Sequence, residues 1–239
     1  MDVMKLRIDK FLADMGKGSR NEIKEFIRKG LVSVNGVKVK SSGEKADTEL
    51  DIVELDGTKI EYAMFEYYIL NKPSGVISAT DDAREKTVLD LIESRRDGLF
   101  PVGRLDKDTE GLLLITNDGQ LAHRLLSPRS HVDKTYFVRV DGKLTSEHAK
   151  LIADGLRVDE DFTALPGKLD IVESGSVSEG YLTIHEGKFH QVKKMMEACG
   201  CAVTYLKRIR MGSLTLPEEL APGEYRELTP QELSDLRNL

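Results

Sequence analysis

The stretch from Gly103 to Gly119, GRLDKDTEGLLLITNDG, sets four acids, Asp106, Asp108, Glu110 and Asp118, around a run of apolar residues, with Arg104 among them. Acids at alternate positions could ligate a cation, cap turns, or supply one carboxylate as nucleophile or base. A calcium loop is disfavoured because the apolar strand LLLIT begins too soon. Asp106 and Asp108 as a magnesium pair for phosphoryl transfer stand as a weaker alternative. HEGKFH (185–190) resembles a zinc motif, but its histidines are five apart, and the helical motif needs four to share a face. His123, His131 and His148 have no ligand spacing with them. Cys199 and Cys201 are too close for a paired Cys-x-x-Cys site. No Gly-x-Ser-x-Gly elbow or phosphate-binding Gly-rich loop occurs. What remains is a carboxylate in a loop before a buried strand, with basic residues elsewhere. From position alone, Asp106 reads more readily as a turn acid than as a catalyst.

The elements that would carry these residues are legible in part. A chain of 239 residues with 40% hydrophobic and 32% charged content is long enough for a real core, in one domain or two. No apolar run is long enough to span a membrane, and MDVMKLRIDK lacks a signal-peptide core, so cytoplasmic residence is expected. The net charge of −6 is unevenly spread. Residues 1–40 hold ten basic and five acidic side chains, whereas residues 41–66 hold two and eight. The local field, not the total, decides whether a polyanion can bind.

Ser19-Arg20-Asn21-Glu22 forms a capping box and predicts a helix to about Lys29, stopped by Gly30. Ile23, Phe26 and Ile27 would share its apolar face, beside a basic stripe of Arg20, Lys24 and Arg28. An earlier helix is expected from Ile8 to about Met15. In LVSVNGVKV, valines alternate around Asn35-Gly36, the strongest short hairpin signal. Residues 41–66 read as a strand or two ending in an acidic linker. Beyond Tyr67, strands are expected at YYILNK, LLLIT (112–116), KTYFVRV (134–140) and YLTIH (181–185). Helices are expected from Gln120 to Ser127 and from about His190, and Asn117-Asp118-Gly119 reads as a turn. Strands and helices do not alternate strictly, so the class is α+β.

Two helices, a hairpin and a basic stripe resemble the alpha-L RNA-binding domain of a ribosomal small-subunit protein over about residues 5–60. GRLDKDTEGLLLITNDG, together with YYILNKPSG, SPRSHVDKTY, EGKFHQVKKM and the tail LAPGEYRELTPQEL, resembles the RsuA family of ribosomal RNA pseudouridine synthases. The resemblance implies an alpha-L domain over 1–62. A catalytic domain would follow over 63–239, with a central mixed, mainly antiparallel sheet flanked by helices. It implies isomerisation of a uridine in ribosomal RNA, with no metal or other cofactor. SATDD (78–82) and the tail point to the small-subunit 16S RNA, free or in an assembly intermediate; a monomeric enzyme is expected. A large-subunit 23S enzyme and a non-catalytic assembly factor are the alternatives.

The family pattern assigns roles residue by residue. Asp106 matches the catalytic aspartate, Tyr136 the tyrosine that stacks on the target base, and Lys193 the basic partner of the aspartate, with Lys194 as its alternative. Arg104 matches the arginine that holds the flipped-out nucleotide or fills its vacated place. Arg20, Lys24 and Arg28 would grip phosphates. Lys207 and Arg208, with Arg210 and Lys188, would line an RNA track or form a solvated charged strand. Asp108 and Glu110 are expected to be structural or solvated.

Overall fold

Ser19 starts a helix for the reason its spacing implies. In the computed structural model, which describes residues 4–93, 98–127 and 130–239, the Ser19 hydroxyl accepts from the Glu22 amide. The Glu22 carboxylate accepts from the Ser19 amide at 2.7 Å, so two orphan donors at the helix start are satisfied. The first elements are β1 (Lys5–Arg7), α1 (Ile8–Asp14) and α2 (Arg20–Arg28). Next come β2 (Val32–Val34) and β3 (Val37–Lys38). They are joined through Asn35 and Gly36, both at positive φ, which is the backbone a two-residue hairpin turn requires.

Residues 41–66 form more than the strand or two expected: β4 (Lys45–Asp47), β5 (Val53–Leu55) and β6 (Thr58–Ile60). One sheet runs β3-β2-β5-β6, and β1 pairs with β4. Ile8, Phe11, Leu12, Ile23, Val32 and Val53 fill the core beneath them. Each such side chain taken from water contributes about 1.5–3 kcal/mol. Asp47 and Asp51 bind backbone amides and Asn35, so part of the acidic spacer is structural. Arg20, Lys24 and Arg28 all lie exposed on α2, with Arg28 paired to Glu25.

Backbone contacts divide the chain near Tyr67. The second unit contains β7 (Tyr67–Lys72), β8 (Phe100–Pro101), β9 (Glu110–Thr116), α3 (Gly119–Leu126) and β10 (Lys134–Asp141). It continues with α4 (Ser146–Asp154), β11 (Lys168–Glu173), β12 (Val177–Ile184), α5 (Gln191–Ala198) and β13 (Ala202–Met211). It closes with β14 (Leu214–Thr215), β15 (Tyr225–Glu227) and α6 (Pro230–Arg237). Among the described residues these strands make one nine-stranded sheet, ordered β11-β12-β10-β13-β9-β7-β15, with β14 beside β13 and β8 beside β9. Its pairs are antiparallel except β9 with β13, so the sheet is mixed and mainly antiparallel.

Leu112 to Ile115 are fully buried, as a central strand with both faces covered must be. Gly111 permits the parallel pairing. Its φ is +101°, and a Cβ there would overlap the Arg208 carbonyl and lie 2.8 Å from the Arg208 amide nitrogen. Asp118 is not merely part of a turn. It is the N-cap of α3, accepting from the Leu121 amide at 3.0 Å and from the Tyr67 hydroxyl at 2.8 Å. The tail closes on itself through Arg226, whose guanidinium donates to both Glu232 oxygens at 2.7 and 2.8 Å. Pro128 and Arg129 of SPRSHVDKTY lie outside the described residues. No helix among the described residues is long and apolar enough to cross a membrane.

Candidate active site

The loop between β8 and β9 holds Asp106, and three groups from the end of β7 and the segment after it hold the loop. The Gly75 amide donates to the Lys107 carbonyl at 2.8 Å. The Ser78 hydroxyl donates to the Leu105 carbonyl at 2.8 Å and accepts from the Leu105 amide at 3.0 Å. The ammonium of Lys72, fully buried, donates to the carbonyls of Pro73, Lys107 and Thr109 at 3.1, 3.2 and 2.8 Å. Burial brings Lys72 down to about 8, against the raising pull of Asp108, Asp106 and Glu110. The Asp106 carbonyl accepts from the Thr109 amide at 3.1 Å, closing a tight turn beneath the carboxylate. Two motifs far apart in the chain therefore make one rigid loop, and Asp106 rides on it.

Tyr136 faces this loop because β10 alternates. Lys134, Tyr136, Val138 and Val140 point to the core, and Tyr136 is buried between Leu182 of β12 and Arg208 of β13. Lys193 comes from α5, whose buried face carries Val192, Met195 and Met196 and leaves Lys193 at the rim. The loop before α5 is fixed by Gln191, which accepts from the Lys188 amide and donates to Glu186, each at 2.9 Å. His190 is the N-cap residue of the helix, in a left-handed conformation with φ +52°, and makes no side-chain cap hydrogen bond.

Asp106, Arg104, Thr109, Tyr136, His190 and Lys193 line one small cavity of about 60 Å³. It shares Arg104, Asp106 and His190 with a wider one of about 590 Å³, a size typical of ligand clefts. Lys193 Nζ stands 3.3 Å from Asp106 Oδ2, and His190 Nε2 stands 3.5 Å from Asp106 Oδ1. Asp108 holds Lys193 more tightly, with both oxygens accepting at 2.7 and 2.9 Å. Burial works to lower the Lys193 pKa, but the carboxylates of Asp108 and Asp106 outweigh it and raise it. Lys193 in turn lowers that of Asp108. The Asp106 contacts are longer than a strong charged hydrogen bond, which leaves its oxygens accessible from the cavity. The side chain is 27% exposed, against 69% for Asp108.

The other residues singled out in the sequence divide clearly. Arg104 lies exposed at the rim with no side-chain partner among the described residues. Lys194 is not beside Asp106: it pairs with Asp159 at 3.2 Å. Arg208 does not belong to a phosphate track. It is buried within the sheet, and its Nε donates to the Leu112 carbonyl at 2.8 Å. Lys207 is half buried on β13, and Arg210 donates to the Gly212 carbonyl. Glu110 accepts from the Tyr205 hydroxyl at 2.8 Å and so is structural. The space between Asp106 and Asp108 that a divalent cation would need is occupied by the Lys193 ammonium. The sequence reading missed the roles of Lys72, Ser78, Asp108 and His190. All four sit inside segments already singled out, but no spacing rule shows which side chain reaches across.

Two family models match the chain: RNA pseudouridylate synthase over residues 66–198 and the S4 domain over residues 6–52. The chain is 41% identical to a Yersinia pestis protein named ribosomal small subunit pseudouridine synthase A, over 97% of this chain and 98% of that one. It is 42% identical to a Bacillus subtilis protein named ribosomal large subunit pseudouridine synthase B, over 98% and 96%. A solved structure titled as a pseudouridylate synthase superposes with a TM-score of 0.68 at 35% identity, covering 97% of this chain and 99% of that chain.

Proposed function

This chain belongs to the RNA pseudouridylate synthase family, and from that premise we propose that it isomerises one uridine of small-subunit 16S ribosomal RNA, with Asp106 as the catalytic carboxylate. The observation that carries the site assignment is the Asp106 carboxylate in a cavity that Tyr136 also lines, with the Lys193 ammonium 3.3 Å away.

The reaction breaks the bond between ribose C1′ and uracil N1, turns the base, and rejoins it through C5. Asp106 works at the ribose, as nucleophile on C1′ or base on C2′, and either role needs a carboxylate oxygen open to the cavity. Lys193 supplies the counter-charge while charge moves on the sugar. Tyr136 packs against the detached uracil and keeps it in place while it turns. Arg104, at the rim and without a competing partner, holds the nucleotide outside its helix or fills the gap it leaves. The N-terminal unit grips phosphates through Arg20, Lys24 and Arg28, which supplies position rather than sequence. The division of labour follows domains at 1–62 and 63–239.

The small-subunit target is supported by the Yersinia pestis relative and by SATDD and the tail. The Bacillus subtilis relative favours a second reading, a uridine of the large-subunit RNA. Tritium release from 16S and 23S transcripts labelled at uridine C5 separates them. Release from 16S alone is expected, and release from 23S alone overturns the small-subunit assignment.

A further inference from the structure

Phe189 is out of place for an ordinary phenylalanine. Its side chain leaves 75% of its surface exposed, beside the cavity that contains Asp106. One face of the ring stacks on the His190 imidazole, with centroids 3.8 Å apart and planes at 17°. His190 in turn stands 3.5 Å from Asp106. Two planar groups are thus stacked outward from the carboxylate, and the outermost face is bare. The loop that presents them is pinned by Gln191, so the platform is built rather than loose.

The surroundings define what would cover that face. The wide cavity of about 590 Å³ is lined by Phe189 together with Arg104, Lys134 and Lys188. Lys188 is itself positioned over the Phe162 ring at 5.9 Å. A flat apolar face flanked by cations suits a planar base carrying phosphates on either side. An apolar peptide side chain would leave those cations unmatched.

Building on the proposed function, we propose that this outer chamber is a second nucleobase subsite, in which the base adjoining the target uridine stacks on Phe189. The target uridine then occupies the inner cavity against Tyr136 while its neighbour is held one step outward, with Arg104 and Lys188 facing the phosphates between them. Such stacking tolerates any base, because every base has a π face, so the subsite holds the neighbour without reading its identity.

The test uses a short RNA cut around the uridine that the intact protein modifies, labelled at C5. Its 5′ and 3′ neighbours are replaced one at a time by abasic sites. The wild-type protein is expected to lose affinity, seen as KM, for one abasic position only. Phe189→Ala should raise KM for the intact RNA about 5- to 150-fold, with the smaller change in kcat. It should lose little more on the abasic RNA, and Phe189→Trp should retain wild-type discrimination. Unchanged KM in Phe189→Ala, or losses that simply add to the abasic effect, overturns the subsite. Absence of tritium release by wild-type protein from intact RNA instead overturns the pseudouridine assignment beneath it.

Discussion

The Lys193 ammonium holds the Asp108 carboxylate through two hydrogen bonds, of 2.7 and 2.9 Å. That clamp fixes a long side chain whose other neighbour is Asp106, 3.3 Å away. Asp108 thereby positions a charge for Asp106 without entering the cavity lining itself. In Asp108→Asn the lysine loses its strongest partner, and kcat is expected to fall by about tenfold or less. Lys193→Met should cost about a hundredfold, whereas Lys194→Met, which breaks only a surface pair with Asp159, should stay near wild type. Single-turnover tritium release orders the three, and a larger loss in Lys194→Met than in Lys193→Met reverses the assignment.

Asp106→Asn keeps the size of the side chain and its loop but removes the nucleophilic charge. Tritium release should drop by at least about a thousandfold, while RNA affinity in a filter-binding assay stays within a few-fold. Substantial release by this variant sinks the catalytic role.

Gly111→Ala should be among the most damaging single changes in the sheet. It combines a positive φ with overlap of the Arg208 carbonyl, where β9 meets β13. A loss of about 3 kcal/mol or more is expected from denaturant unfolding. Gly119→Ala is the control: nothing lies within 4 Å of the added methyl, so its effect should stay within about 1 kcal/mol.

Lys72 makes stability depend on pH in an unusual direction. Its pKa is about 8 in the folded protein and 10.5 in the free side chain. Between those values the unfolded chain carries more protons, so the lysine's contribution to stability rises with pH. Below pH 8 both states hold the proton and the cost of burying the charge is present in full. Relative to Lys72→Met, the wild type should gain up to about 3 kcal/mol between pH 8 and 10.5. Lys134, also brought down to about 8 by burial, titrates in both proteins and cancels in the difference. A flat difference across that window contradicts the assignment.

The basic stripe predicts a salt effect. Arg20 and Lys24 lie exposed on α2, whereas Arg28 is partly neutralised by Glu25. The double variant Arg20→Ala/Lys24→Ala should reduce the slope of log affinity against log salt by about 1.5 to 2. Arg28→Ala should change it by less. An unchanged slope in the double variant removes α2 from the RNA grip.

Local signals in the sequence carried much of the fold. The Ser19 capping box, the Asn35-Gly36 hairpin and the alternation of KTYFVRV each depend on neighbours a few residues away, and each formed as read. The spacer before Tyr67 carries a weaker local signal, because β4, β5 and β6 are only three residues each and too short to show alternation. LKRIRM was ambiguous for the opposite reason. Its three charges, Lys207, Arg208 and Arg210, look solvated, yet β13 lies in the middle of the sheet and its inward side chains, Arg208 included, are buried.

The sequence by itself determined the family, the α+β class, and Asp106, Tyr136 and Lys193 as the residues to examine, because motif identity and short-range periodicity are properties of contiguous chain. Tertiary structure alone decided who meets whom. It gave Lys193 rather than Lys194 to Asp106, set Asp108 as the tighter partner, and locked the loop from below with Lys72 and Ser78. Such pairings turn on ångström-scale approaches between segments up to about ninety residues apart. A step of one position along α5 swings a side chain by roughly 100°, and only the packed helix determines which lysine that step delivers.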